Sequence, residues 1–97
     1  MKLIISTAVR EKIANKSPPV SESEIIQCFA NRVAKDLIDI RAQHRTNPLT
    51  RWFIAETDFG RELKVAYMPT AQGIVIKSAY DPSVTEKRIY KKIALPV

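Results

Sequence analysis

Ninety-seven residues, 45% of them apolar, suit one domain (residues 1–97) with a modest core. No apolar run approaches the roughly 20 residues that cross a bilayer, and Met1-Lys2-Leu3-Ile4-Ile5 is too short for a secretory signal, so a cytoplasmic protein without a membrane partner is expected. The single cysteine, Cys28, excludes an internal disulfide and a cysteine-based zinc site, while a net charge of +6, from 16 Lys and Arg against 10 Asp and Glu, makes a polyanion the first partner to consider.

In chain order, residues 3–5 read as a short strand, and Ser6 or Thr7 can cap a helix in which Val9 and Ile13 share a face. Ser17-Pro18-Pro19 ends it, because proline lacks the amide donor and restricts the residue before it. Ser21 and Glu24 then form a capping box and Val20 can staple onto Ile25. The stripe of this second helix is Ile25, Ile26, Phe29 and Val33, with Cys28 on the flank. The two helices are expected as a hairpin on a sheet. Leu37 and the alternation Ile38, Asp39, Ile40, Arg41 predict a strand over 35–41, leading into a polar loop that carries the only histidine, His44.

From Arg51 to Tyr80, three apolar-rich runs alternate with two turn signals. Trp52, Phe53 and Ile54 mark the first run; Leu63, Val65 and Tyr67, spaced by Glu62, Lys64 and Ala66, mark the second; Ile74, Val75 and Ile76 mark the third. Asp58-Phe59-Gly60 and residues 69–73 are connections too short for anything but antiparallel pairing. A last helix starts at a second capping box, Ser83 and Glu86, with Glu86, Ile89, Tyr90 and Ile93 on one face and Arg88 and Lys92 on another. The expected fold class is α+β, a four- or five-stranded mainly antiparallel sheet with helices on one face.

The basic residues fall in two groups. Arg41, His44, Arg45 and Arg51 lie in a stretch without acids, and Lys87, Arg88, Lys91 and Lys92 lie near the C-terminus. Solvated faces, RNA or an acidic protein partner would each account for them. With Gly60 and Gly73 as the only glycines there is no phosphate-binding glycine loop, and one histidine gives no transition-metal spacing, so no cofactor is expected. A metal-free set of Arg, Lys, His and Tyr around a small sheet suits RNA cleavage by the 2′-hydroxyl. That reaction needs a base, cations for the phosphorane and an acid for the leaving oxygen. Trp52 could stack on a base, although a strand tryptophan is more commonly core.

The order strand, two helices, meander and final helix resembles the BrnT-like branch of the RelE superfamily of bacterial toxins. The resemblance is carried by Val20-Ser21-Glu22-Ser23-Glu24 running to Phe29-Ala30-Asn31, by Arg51-Trp52-Phe53, by Gly60-Arg61, and by Ile76-Lys77-Ser78-Ala79 followed by Glu86, Arg88 and Tyr90. A closer group of bacterial proteins, some labelled as hydrolases acting on ADP-ribosylated nitrogenase reductase, is similar through Leu37-Ile38-Asp39, Trp52-Phe53-Ile54-Ala55-Glu56-Thr57-Asp58 and Lys77-Ser78-Ala79-Tyr80. Two departures fall at the chemistry: Lys16-Ser17-Pro18-Pro19 stands where BrnT-like toxins have Lys-His-Gly, and Ser78-Ala79-Tyr80 where they have Ser-Ala-Arg.

The resemblance implies the toxin of a toxin–antitoxin pair, a metal-independent endoribonuclease acting on free or ribosome-bound RNA and neutralised by a cognate antitoxin. Arg51, Lys77 and Arg88 would then stabilise phosphate charge, His44 or Tyr80 would transfer protons, and Arg41, Arg45, Trp52, Lys91 and Lys92 would bind RNA. The alternative is a non-catalytic module that keeps the fold and basic face for RNA or protein. A small-molecule hydrolase of the ADP-ribosyl type is the third reading, for which the chain shows no carboxylate metal cluster.

Overall fold

The alternation of Leu63, Val65 and Tyr67 with Glu62, Lys64 and Ala66 forms the central strand of a mixed sheet. The computed structural model describes residues 2–39 and 48–94. Among them, β1 (Leu3–Ile4), β2 (Leu37–Ile38), β3 (Arg51–Glu56), β4 (Glu62–Thr70) and β5 (Gly73–Tyr80) lie in the spatial order β1-β5-β4-β3-β2. The β2–β3–β4–β5 pairings are antiparallel, while β1 runs parallel to β5 through Leu3↔Ile74 and Ile4↔Val75. Gly60 takes a φ of 85° in the β3–β4 turn, where the Thr57 hydroxyl accepts from the Phe59 and Arg61 N–H groups. Gly73 is needed for a second reason besides its φ of 146°: a Cβ there would lie 2.7 Å from the Lys2 carbonyl, so a side chain would push β1 off β5.

Helices α1 (Thr7–Ala14) and α2 (Glu22–Asn31) cover one face of this sheet, over β5 and over β3 and β4 respectively. Ser6 caps α1, and the expected Ser21–Glu24 box is formed in both directions at α2. The α2 ring of Phe29 stands edge-on to Phe53 at 4.9 Å and to Tyr67 at 5.2 Å. Cys28 is central rather than flanking: it is fully buried, its thiol donates to the Ala55 carbonyl at 3.5 Å, and burial pushes it up to about 11. The buried row is Ile25, Cys28 and Phe29, an i, i+3, i+4 pattern that leaves Ile26 exposed, and the helix ends before Val33, which is exposed as well. Of the strand predicted over 35–41, the described residues form Leu37–Ile38; Ile40 and Arg41 lie outside the described residues.

α3 (Val84–Ala94) corrects the expected single layer of helices, because it packs over β2 and β3 on the opposite face. Register shows this directly. Phe53 and Val65 are partners on the α2 side, while Trp52 and Lys64, one residue away on their strands, reach Tyr90 and Glu86 of α3. The physical cause is that β3 is apolar on both sides, with Phe53, Ile54 and Ala55 all buried, and one helical layer cannot cover both.

The expected apolar face of α3 is also rotated. Tyr90 and Ala94 are buried, whereas Ile89 is 42% and Ile93 57% exposed. Glu86 accounts for this: its carboxylate accepts from Lys64 Nζ at 2.8 Å and from the Tyr80 hydroxyl at 2.7 Å, which turns the i, i+4, i+8 row Glu86, Tyr90, Ala94 toward the sheet.

One arginine joins the layers at the end of the sheet. Arg61 donates to the Pro18 and Pro19 carbonyls, to both oxygens of Glu24 and to Asp81, so it ties the chain before α2 to the end of β5.

Candidate functional site

Beyond its two-residue pairing with β2, the outer edge of β3 is finished by side chains of α2. The Asn31 amide donates to the Glu56 carbonyl at 3.0 Å, and Gln27 Oε1 accepts from the Asp58 N–H at 2.9 Å. A groove of about 820 Å³ runs along this edge under α3. Ile54, Ala55 and Tyr90 give it an apolar floor, Lys87, Arg88 and Lys91 line its helical wall, and Glu56, Asp58 and Glu62 line its strand wall. Lys87 bridges the two walls through Glu62 at 3.1 Å. Arg88, Lys91 and Lys92 form no ion pair among the described residues; Arg88 and Lys91 are unneutralised cations at the lip of the groove, and Lys92 lies round the helix from them, outside its lining.

The second cluster lies under the N-terminal end of α3. Tyr80 pairs with Lys64 across β4 and β5, and both reach Glu86. Burial opposes the charge on Glu86, but the Lys64 ammonium, the Ser83 N–H and the Tyr80 hydroxyl outweigh it and hold its carboxyl at about 2. Tyr80 is pushed the other way, by burial and by donating to that carboxylate. A phenol so placed holds its proton and is a poor base, and its bond to Glu86 fastens α3 to the sheet. Lys16 adds a cation 5.2 Å above the Tyr80 ring.

The residues expected to form a site are distributed as follows. Arg88, Lys91 and Lys92 share α3, the first two in the groove. Arg51 begins β3 as the partner of Tyr67, on the α2 side, whereas Tyr80 is the partner of Lys64, on the α3 side, so the sheet separates them. Lys77 is exposed on β5 at the register shift opposite Ala66 and Tyr67. Trp52 lies on the α3 side with its ring 5.6 Å from that of Tyr90 and the Lys64 ammonium 4.5 Å above it, a packing role. His44, Arg41 and Arg45 lie outside the described residues.

Lys64 and Lys87 were not singled out by the sequence as site residues individually, and no local spacing could have done so, since each acquires its partner through a contact more than 20 residues away. No group of three or more metal-ligating side chains occurs among the described residues. No helix of the described residues is long and apolar enough to cross a membrane. Comparison of the chain with protein families, with curated proteins and with solved structures finds no match, and the likeness to BrnT-like toxins rests on the motifs quoted above.

Proposed function

We propose that this protein is a cytoplasmic RNA-binding module of the non-catalytic kind, using the cationic lip of α3. The observation that carries the reading is the pair Arg88 and Lys91, each without a carboxylate partner among the described residues, at the lip of an open groove. Single-stranded RNA places a phosphate charge at every nucleotide, and an array of cations on one helix edge can follow such a backbone without reading its sequence. The chemistry of cleavage has weaker support: Arg51 and Tyr80 sit on opposite sides of the sheet, and the Tyr80 hydroxyl is engaged by Glu86.

The test is titration of a fluorescent single-stranded RNA at several salt concentrations, with EDTA present and the RNA recovered afterwards. Affinity should fall with salt by a log–log slope of roughly 0.7 per phosphate neutralised. Arg88→Glu with Lys91→Glu should lower both affinity and slope, and the RNA should be recovered intact. An unchanged slope in the double variant would remove α3 from the interface.

A toxin-type ribonuclease is the second reading, favoured by the cluster of proton donor, cation and carboxylate at Tyr80, Lys64 and Glu86. Cleavage in EDTA that leaves a 2′,3′-cyclic phosphate and is lost in Arg51→Ala would establish that reading instead.

A further inference from the structure

The α2 side of the sheet carries two helices and the α3 side carries one. α3 packs over β2 and β3, and its first turn reaches Lys64 of β4 and Tyr80 of β5; beyond those two residues no helix is seen to pack on this side of β4, β5 and β1 among the described residues. The surface left there is apolar. Ile4, Val75 and Met68 form one cross-strand row and Ala66 lies in the next, all half-buried and outside the main core. Their neighbours pointing the other way, Leu3 and Ile74, pack against the core. Ile89 and Ile93 continue the surface as a wall. They lie on the flank of α3 that Glu86 turns toward β4 and β5, opposite the flank that sends Lys87 and Lys91 to the groove.

Charge around this half-face has one sign. Lys2, on the same side of β1 as Ile4, and Lys92, beside Ile89 on the helical wheel, are both exposed. The carboxylates at the start of β4, after the end of β5 and in the first turn of α3, Glu62, Asp81 and Glu86, are paired with Lys87, Arg61 and Lys64.

We propose that this half-face docks one amphipathic helix of a partner protein, with an apolar stripe bordered by acidic side chains. Three neighbouring strands span about 10 Å, the width of one helix, and α3 alongside provides a second wall at ordinary helix-packing distance. Acidic borders are required by Lys2 and Lys92. A second copy of this chain is disfavoured because it would bring those lysines and a +6 charge against their own kind. This goes beyond the RNA-binding reading, since it uses a different flank of α3.

The probe is a pair of 14-residue peptides with Leu at i, i+3, i+4 and i+7, alanine elsewhere on the apolar side, and either Glu or Lys along the borders. Binding is followed by amide and methyl NMR shifts on the whole protein. The Glu peptide should bind, with shifts centred on Val75, Met68, Ile89 and Ile93. The Lys peptide should bind about tenfold more weakly or worse, and Ile89→Glu or Ile93→Ser should each reduce affinity about tenfold while leaving the melting temperature near that of the parent. Arg88→Glu with Lys91→Glu should leave peptide affinity within about threefold, so that loss of RNA binding and loss of peptide binding are separable. The proposal is overturned if the Glu peptide fails to bind, if its shifts map to the groove, if single-stranded RNA displaces it competitively, or if sedimentation shows the face closed by self-association.

Discussion

Glu86 shows how one side chain joins sequence, packing and site. Its sequence position, three residues after Ser83, makes it the second half of a capping box, and the Ser83 N–H does donate to it at 2.8 Å. The same carboxylate also receives Lys64 and Tyr80 from two strands, so a local helix-start device becomes a long-range clamp. Because its folded pKa, about 2, lies below the ordinary value of 4.5, the stability it contributes is complete above about pH 4.5 and is lost as pH falls toward 2. Glu86→Gln should therefore destabilise the protein by about 2 kcal/mol at pH 7, the size of a hydrogen bond to a charged group. Urea titrations of the two proteins at intervals between pH 7 and pH 2 should show the gap narrowing through the acid range. A gap that stayed constant would mean that Glu86 acts through shape alone.

At the scale of elements, α3 is the part that its own sequence describes least well. Four residues spaced at 86, 89, 90 and 93 make a plausible apolar stripe, yet the sheet selects 86, 90 and 94. Rotation by part of a turn costs little when both flanks are half apolar, and the polar anchors on β4 and β5 decide it. The consequence is a reversal of sensitivity between adjacent residues. Ala94→Asp should place a charge against the sheet at a position 1% exposed and destabilise by about 3 kcal/mol or more. Ile93→Asp, at 57% exposure, should shift stability by no more than about 1 kcal/mol. Thermal melts of the two variants check the orientation, and equal losses would return Ile93 to the core. α2 was more legible because its start is marked twice, by Ser21–Glu24 and by Val20, and a fixed start sets which residues face inward.

For the whole molecule, what could be read from the sequence was whatever depends on residues close together along the chain. Both capping boxes, the turn at Gly60, the alternation of β4 and the meander itself are of that kind. The divided placement of Arg51 and Tyr80 was not, because it follows from pairing across three strands and from the register shift at Ala66 and Tyr67. Nor was the second helical layer: the continuous apolar run Trp52-Phe53-Ile54-Ala55 is the pattern of a strand buried on both faces, but a short run does not say which element covers the second face. The order of strands nevertheless carries a consequence for how the molecule opens. β4 lies between its two longest neighbours and holds Leu63 and Val65 at 0% exposure, while β1 and β2 are edge strands of two residues each. Amides of β4 bonded to β3 and β5 can exchange only when the sheet comes apart, whereas those of β1 and β2 need only a strand end to lift. In native-state hydrogen exchange, the β4 amides should share one slow rate that follows global stability in urea. Leu3, Ile4, Leu37 and Ile38 should exchange about a hundredfold faster or more, with little dependence on urea. Protection of the Leu37 and Ile38 amides equal to that of Val65 would show that the β2 edge opens only with the whole sheet, and α3, which rests on β2 and β3, would then belong to the most stable unit of the protein.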